Sequence, residues 1–267
     1  KLAQNGILFS QTITYAPYTL ASCHATFTGM YGRQNGVDAY TKSDRFDKKG
    51  CYSVAQSLKD AGYHTRAYTF SSILIPHSGF DKVNIIPEDE ETGILDSHIS
   101  ELNECYGQDK PFLSYLHYGE IHHDVVREVI KKFDMYDKRY FENLKENRER
   151  YRRYAQMAGD YLDKLVDHIK AKDPDDNTII VVLTDHGSSN GERPGEKAYG
   201  TFTYDYSIKI WQYWLWPKVL PSGMEVEWQV RTIDILPTIL DLLQLPPKHG
   251  KRPIIGQSLL PMIRHEE

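Results

Sequence analysis

Residues 16–36 read Ala16-Pro17-Tyr18-Thr19-Leu20-Ala21-Ser22-Cys23-His24-Ala25-Thr26-Phe27-Thr28-Gly29-Met30-Tyr31-Gly32-Arg33-Gln34-Asn35-Gly36, and the rest of the chain is organised around this stretch. A residue before proline is pushed toward extended backbone, so Ala16-Pro17 predicts an extended entry. From Thr19 onward nothing interrupts a helix until Gly29, which predicts a helix with a glycine stop. Thr19 and Ser22 both suit an N-cap or first turn. A hydroxyl there lies beside unpaired backbone N–H groups and the positive end of the helix dipole. That is a natural place to hold an anionic ester under nucleophilic attack. The same residues also describe a capped surface helix.

Upstream, Lys1-Leu2-Ala3-Gln4-Asn5-Gly6 reads as a helix end with a glycine cap, and Ile7-Leu8-Phe9 as the strand after it. Downstream, Val54, Leu58 and Ala61 recur at helical spacing, Gly62 ends the run, and residues 64–70 alternate toward a strand. This is an αβ unit of the kind found in parallel sheets. Residues 111–118 give a short buried strand leading into Gly119-Glu120-Ile121-His122-His123-Asp124. Ligands gather after the carboxyl ends of strands in α/β sheets, which makes this His pair a candidate against the plainer reading of an exposed turn.

Residues 131–153 mix charges of both signs and read as solvated helix. Tyr151, Tyr154, Ala155, Ala158, Tyr161, Leu162, Leu165, Val166 and Ile169 then form a wide apolar stripe that predicts a helix packed on a sheet. Asp173-Pro174-Asp175-Asp176-Asn177 turns the chain into Thr178-Ile179-Ile180-Val181-Val182-Leu183. Such a β-branched run predicts a strand buried on both faces, central and parallel. It ends in Thr184-Asp185-His186-Gly187, where a carboxylate and an imidazole can meet one cation if the backbone bends, and glycine allows the bend. An Asp oxygen with a His nitrogen suits zinc, manganese or magnesium better than a pure calcium cage. Further on, Trp211, Tyr213, Leu215 and Trp216 predict a core strand ended by Pro217.

These motifs resemble the sulfatase branch of the alkaline phosphatase superfamily. In its nucleophile motif a Cys, Ser or Thr is followed two residues later by Pro or Ala, then Ser, then usually Arg, with Thr-Gly-x-Tyr closing the helix. Thr19 takes the nucleophile place, Ala21 and Ser22 follow, Thr28-Gly29-Met30-Tyr31 closes, and Cys23 stands where the Arg would be. The strand ending in Asp185-His186-Gly187 resembles the family's metal-binding strand. Leu58-Lys59-Asp60-Ala61-Gly62-Tyr63-His64-Thr65, Gly79-Phe80-Asp81, the segment of residues 233–242 around Pro237, and Gly256-Gln257-Ser258-Leu259-Leu260-Pro261 are similar to other family segments.

The resemblance implies a single sulfatase-type catalytic domain over residues 1–267. It implies an α/β fold with a mostly parallel central sheet and helices on both faces, as in alkaline phosphatase. It implies a divalent metal (Mn, Zn, Ca or Mg) held by Asp185, His186 and Thr19, with the Thr19 oxygen attacking sulfur or phosphorus in line. His122, the second His of Leu116-His117-Tyr118-Gly119-Glu120-Ile121-His122, would contact the ester. Lys197 is the nearest match to a Lys or His that steadies the leaving oxygen. The opening residues are similar to a segment that follows a first strand bearing metal-binding aspartates, so the expectation is that this strand lies upstream of Lys1, with a gap or exposed sheet edge in its place.

Composition bounds the rest. The chain has 267 residues, 40% hydrophobic and 26% charged, with a net charge of −5 that argues against a nucleic-acid surface. No apolar run approaches the ~20 residues of a membrane span. Three widely spaced cysteines form neither a zinc pattern nor a disulfide framework, which favours a reducing compartment such as the cytoplasm. Threonine cannot be oxidised to the formylglycine of sulfatases proper, so the sequence favours a phosphodiesterase or phosphatase. A true sulfatase is the alternative, and a catalytically silent relative that binds a ligand is a further one. The partner expected is a small-molecule phosphate or sulfate ester; the sequence leaves its alcohol portion and the oligomeric state open.

Overall fold

The computed structural model describes residues 5–87, 93–248 and 250–264. The helix end expected before Asn5 lies outside the described residues. Eight strands are described: β1 (Ile7–Ile13), β2 (His64–Thr69), β3 (Lys82–Ile85), β4 (Phe112–Leu116), β5 (Ile180–Leu183), β6 (Lys209–Leu215), β7 (Met224–Val226) and β8 (Val230–Arg231). The helices are α1 (Thr19–Thr28), α2 (Gly32–Asn35), α3 (Val54–Asp60), α4 (Ile94–Tyr106), α5 (Glu120–Val125), α6 (Lys138–Phe141), α7 (Leu144–Lys172), α8 (Asp205–Ile208), α9 (Ile235–Leu242) and α10 (Leu260–Ile263).

The sheet is split and mixed, which corrects the expectation of one mostly parallel sheet. One sheet has the order β3-β2-β4 and is parallel throughout. The other has the order β5-β6-β1-β7, with β8 also on β1, and β6 runs antiparallel to both of its neighbours. Tyr213 of β6 faces Leu8 of β1 on one side and Val182 of β5 on the other. A continuous apolar run reports burial and not strand direction, so the antiparallel β6 left no trace in the sequence. For the same reason β5, expected central and parallel, is antiparallel to β6 and lies at the end of its sheet. Every residue of β4 and of β5 is only half-buried, because each strand is hydrogen-bonded to one described neighbour.

Helices cover both faces, as expected. Along β4 the side chains alternate. Phe112 and Leu116 join a cluster with Leu102 of α4 and Leu165 and Ile169 of α7, whereas Leu113 and Tyr115 join Phe27 of α1, Leu58 of α3 and Leu236 of α9. Helix α7 is one helix of 29 residues that absorbs both the charged segment from Leu144 and the apolar stripe. Of the β6 aromatics, Tyr213 and Trp214 are buried, but Trp211 is 39% exposed and not core.

Helix α1 ends where predicted. Gly29 adopts φ 62°, and its carbonyl accepts bonds from the N–H groups of Ile255 and Gly256 at 3.0 Å each. Those bonds tie the helix end to the segment before α10.

Candidate active site

The start of α1 and the end of β5 are clamped together by hydroxyls. Tyr18 is the extended N-cap residue, without a side-chain cap, and Thr19 is the first helical residue. Ser22, one turn on, is buried and donates to the carbonyl of Asp185, and Thr14, just past β1, donates to the same carbonyl at 2.7 Å. Two buried hydroxyls on one acceptor hold Asp185 against α1 and leave its carboxylate free to face Thr19.

Gly187 completes the bend, for a reason the sequence did not suggest. Its φ is not in the left-handed region. A Cβ there would stand 2.1 Å from the carbonyl oxygen of Tyr206, so close approach between two backbones excludes a side chain. The Gly187 N–H donates to the Ser207 carbonyl at 2.8 Å and fixes that approach.

Thr19, Asp185 and His186 are brought together. Thr19 Oγ1 lies 3.3 Å from His186 Nε2, which lies 3.6 Å from Asp185 Oδ2. His186 Nδ1 is 2.7 Å from the carbonyl oxygen of Gly187. A carbonyl only accepts, so Nδ1 carries a proton, and Nε2 is the ring nitrogen turned toward Thr19 and Asp185. Burial raises the Asp185 pKa, but His186, His117, the Thr19 hydroxyl and the His186 N–H offset it and leave the carboxyl below its ordinary value.

This donor set fits a divalent cation in kind and orientation: one carboxylate, one imidazole nitrogen fixed by a carbonyl behind the ring, and one hydroxyl. Among the described residues no group of three His, Cys, Asp or Glu side chains converges as a metal site.

His122 is joined to this centre through a residue that sequence reasoning missed. Its Nδ1 lies 2.9 Å from the hydroxyl of Tyr199, whose ring packs on His186 with centroids 4.8 Å apart. Tyr199 is two residues past Lys197, in a loop where the motif match was loose, and nothing but that proximity marked it. The Lys197 amine itself is not brought to Thr19. It donates to the carbonyls of Ile130, at 2.8 Å, and Phe133. Those bonds tie its loop to the segment after α5.

Strand β4 packs beside α1. Its Tyr115 hydroxyl lies 2.8 Å from Nδ1 of His117, the residue just past the strand, and 3.9 Å from Cys23 Sγ. Burial first, then the neighbouring imidazoles His122, His186 and His123 against the opposing carboxylate of Asp185, lowers the His117 pKa to about 4. Burial pushes the Cys23 thiol well above its usual range, so it stays protonated.

Residues 1–245 match the sulfatase family. The chain belongs to that family. It is 24% identical over its whole length to an ulvan-active sulfatase of Formosa agariphila, and it spans 52% of that relative. Among solved structures, a 2-O GAG sulfatase superposes with a TM-score of 0.74 at 16% identity, covering 100% of this chain and 68% of that one. A phosphonate monoester hydrolase of Agrobacterium radiobacter gives 0.72 at 17% identity, covering 100% and 71%. An alkaline phosphatase superfamily protein from Vibrio parahaemolyticus gives 0.63 at 20% identity, covering 97% and 62%. Identities this low establish a shared fold. Sulfatase-family proteins typically bind a divalent metal, and the Thr19–Asp185–His186 set is where this chain presents ligands of that kind. Among the described residues, no helix of this sulfatase-family chain is long and apolar enough to cross a membrane.

Proposed function

We propose that this sulfatase-family chain carries the nucleophile side of an ester-hydrolysing site that acts on a sulfate ester, of a sulfated saccharide in the manner of its ulvan-active relative. The observation that carries the proposal is the convergence of Thr19 Oγ1, His186 Nε2 and the Asp185 carboxylate at the uncapped start of α1. A divalent cation bound by these three would supply charge neutralisation and make the hydroxyl more acidic.

The chain's own residues do the remaining work. Thr19 presents its oxygen at a helix start whose N–H groups no side chain caps, which favours an anionic substrate. Asp185 and His186 hold that oxygen in place, with the Asp185 carboxylate as the hydrogen-bond acceptor for its proton. His122, oriented by Tyr199, stands beside this centre as the contact to the ester. Further carboxylates for the cation come from outside the described residues in this reading.

Thr19 favours a second reading. A threonine hydroxyl cannot become an aldehyde, and a plain hydroxyl attacks phosphorus as readily as any alkoxide nucleophile of comparable basicity. The substrate is then a phosphate or phosphonate ester. Turnover of an aryl sulfate and of an aryl phosphodiester by the full-length protein separates the two. Faster hydrolysis of the sulfate supports the first reading, faster hydrolysis of the diester supports the second, and hydrolysis of neither leaves a ligand-binding relative.

A further inference from the structure

We propose that His117 is an additional substrate-binding residue of this site, presenting Nε2–H to the anionic oxygens of the ester, with Tyr115 and Cys23 as the residues that fix its tautomer. The proposal rests on the ester-hydrolase reading above and names a donor that reading did not include. The His117 ring stands edge-on to Phe70 with centroids 4.8 Å apart, and Phe70 also packs on His122 at 5.6 Å and His123 at 6.1 Å. The ring thus shares Phe70 with His122, the residue read above as contacting the ester, and its Tyr115 partner lies beside Cys23 of α1, the helix that begins at Thr19.

The hydrogen-bond direction follows from acidity. Along Cys23 Sγ, Tyr115 Oη and His117 Nδ1, one polarity has the thiol donating to the phenol and the phenol donating to the imidazole. The other has the imidazole donating to the phenol and the phenol donating to sulfur. A phenol is a better acid than a neutral imidazole, an imidazole nitrogen is a far better acceptor than a thiol sulfur, and the thiol is protonated. The first polarity makes the strong bond at 2.8 Å and leaves only the long contact weak. Nδ1 is then an acceptor, and the proton of the neutral ring sits on Nε2. Tyr115 is the one hydrogen-bond partner of this ring among the described residues. Nε2–H is therefore held as a donor with no acceptor among the described residues, beside the His122 that faces the ester in the reading above.

Two measurements on the full-length protein test this. Long-range nitrogen–proton NMR of histidine-labelled protein, with His117→Gln for assignment, should show the Nε2–H tautomer at His117, and Tyr115→Phe should convert it to a mixture. Calorimetric binding of inorganic sulfate and of inorganic phosphate should weaken about tenfold or more in His117→Ala. His117→Gln, whose amide N–H reaches the place of Nε2, should recover most of the loss, and His117→Asn, which mimics Nδ1, should not. An Nδ1–H tautomer, unchanged anion binding in His117→Ala, or equal recovery by Gln and Asn would overturn the proposal. Wild-type protein that binds neither anion would instead overturn the ester-site reading and this one with it.

Discussion

The Thr19 hydroxyl stands 3.3 Å from Nε2 of His186, across a gap that joins the first turn of α1 to the end of β5. The two residues are 167 positions apart in sequence, and their proximity turns two separate motifs into one centre. Thr19→Val keeps the shape of the side chain and removes the oxygen. It should lower kcat by about a thousandfold or more and leave the thermal midpoint within a few degrees, as steady-state kinetics and calorimetry on the full-length protein would show. A residual rate within tenfold of wild type would move the nucleophile elsewhere.

The clamp on Asp185 predicts a coupling. Thr14 and Ser22 both reach the Asp185 carbonyl and stand 2.5 Å from each other, so two hydroxyl protons serve three contacts. Thr14→Val and Ser22→Ala should each cost about 1 kcal/mol in urea unfolding. The double variant should cost clearly less than the sum of the two, since each hydroxyl helps to satisfy the other. Strict additivity would show that the two bonds act independently.

Lys197 provides a contrast with Thr19. Its amine is spent on the carbonyls of Ile130 and Phe133. Lys197→Met should therefore destabilise the fold by about 1–3 kcal/mol by leaving those acceptors unpaired, while kcat of the folded fraction changes less than threefold. A drop of a hundredfold in kcat with unchanged stability would return Lys197 to the leaving oxygen.

Much of this site was legible in the sequence, and the losses have physical causes. The glycine stop at Gly29 and the β-branched run into Asp185 are local signals, set by backbone conformation and side-chain shape, and both stand in the fold. The antiparallel course of β6 is a matter of chain direction, on which an apolar run is silent. Gly187 was read as a conformational glycine, yet it answers to a backbone from α8 that no local pattern announces. Tyr199 and His117 escaped because one lay in a loop with a loose motif match and the other was read as part of a core strand.

Acid should destabilise this protein through its buried imidazoles. Burial holds His24 and His98 neutral, with pKa values lowered to about 4 and about 3. The unfolded chain takes up both protons near pH 6.5, where the folded one does not. Stability from these groups is thus fully present above pH 6.5 and falls as the pH drops toward 4 and then 3. Urea midpoints measured from pH 7.5 to pH 4.5 should decline steadily, and His98→Leu should flatten part of that slope. A midpoint independent of pH over this window would contradict the neutral state of both rings.

The account turns on Thr19 as the atom that receives the transferred group. Full-length protein mixed with an aryl sulfate or an aryl phosphodiester, quenched in acid within the first turnovers and digested, should yield the peptide containing Thr19 with one added sulfate or phosphate group. Fragmentation should place that group on the Thr19 oxygen, and Thr19→Val should abolish it. Turnover of either substrate with the group found on another side chain, or on none while the Thr19 peptide remains unmodified throughout, would contradict the account.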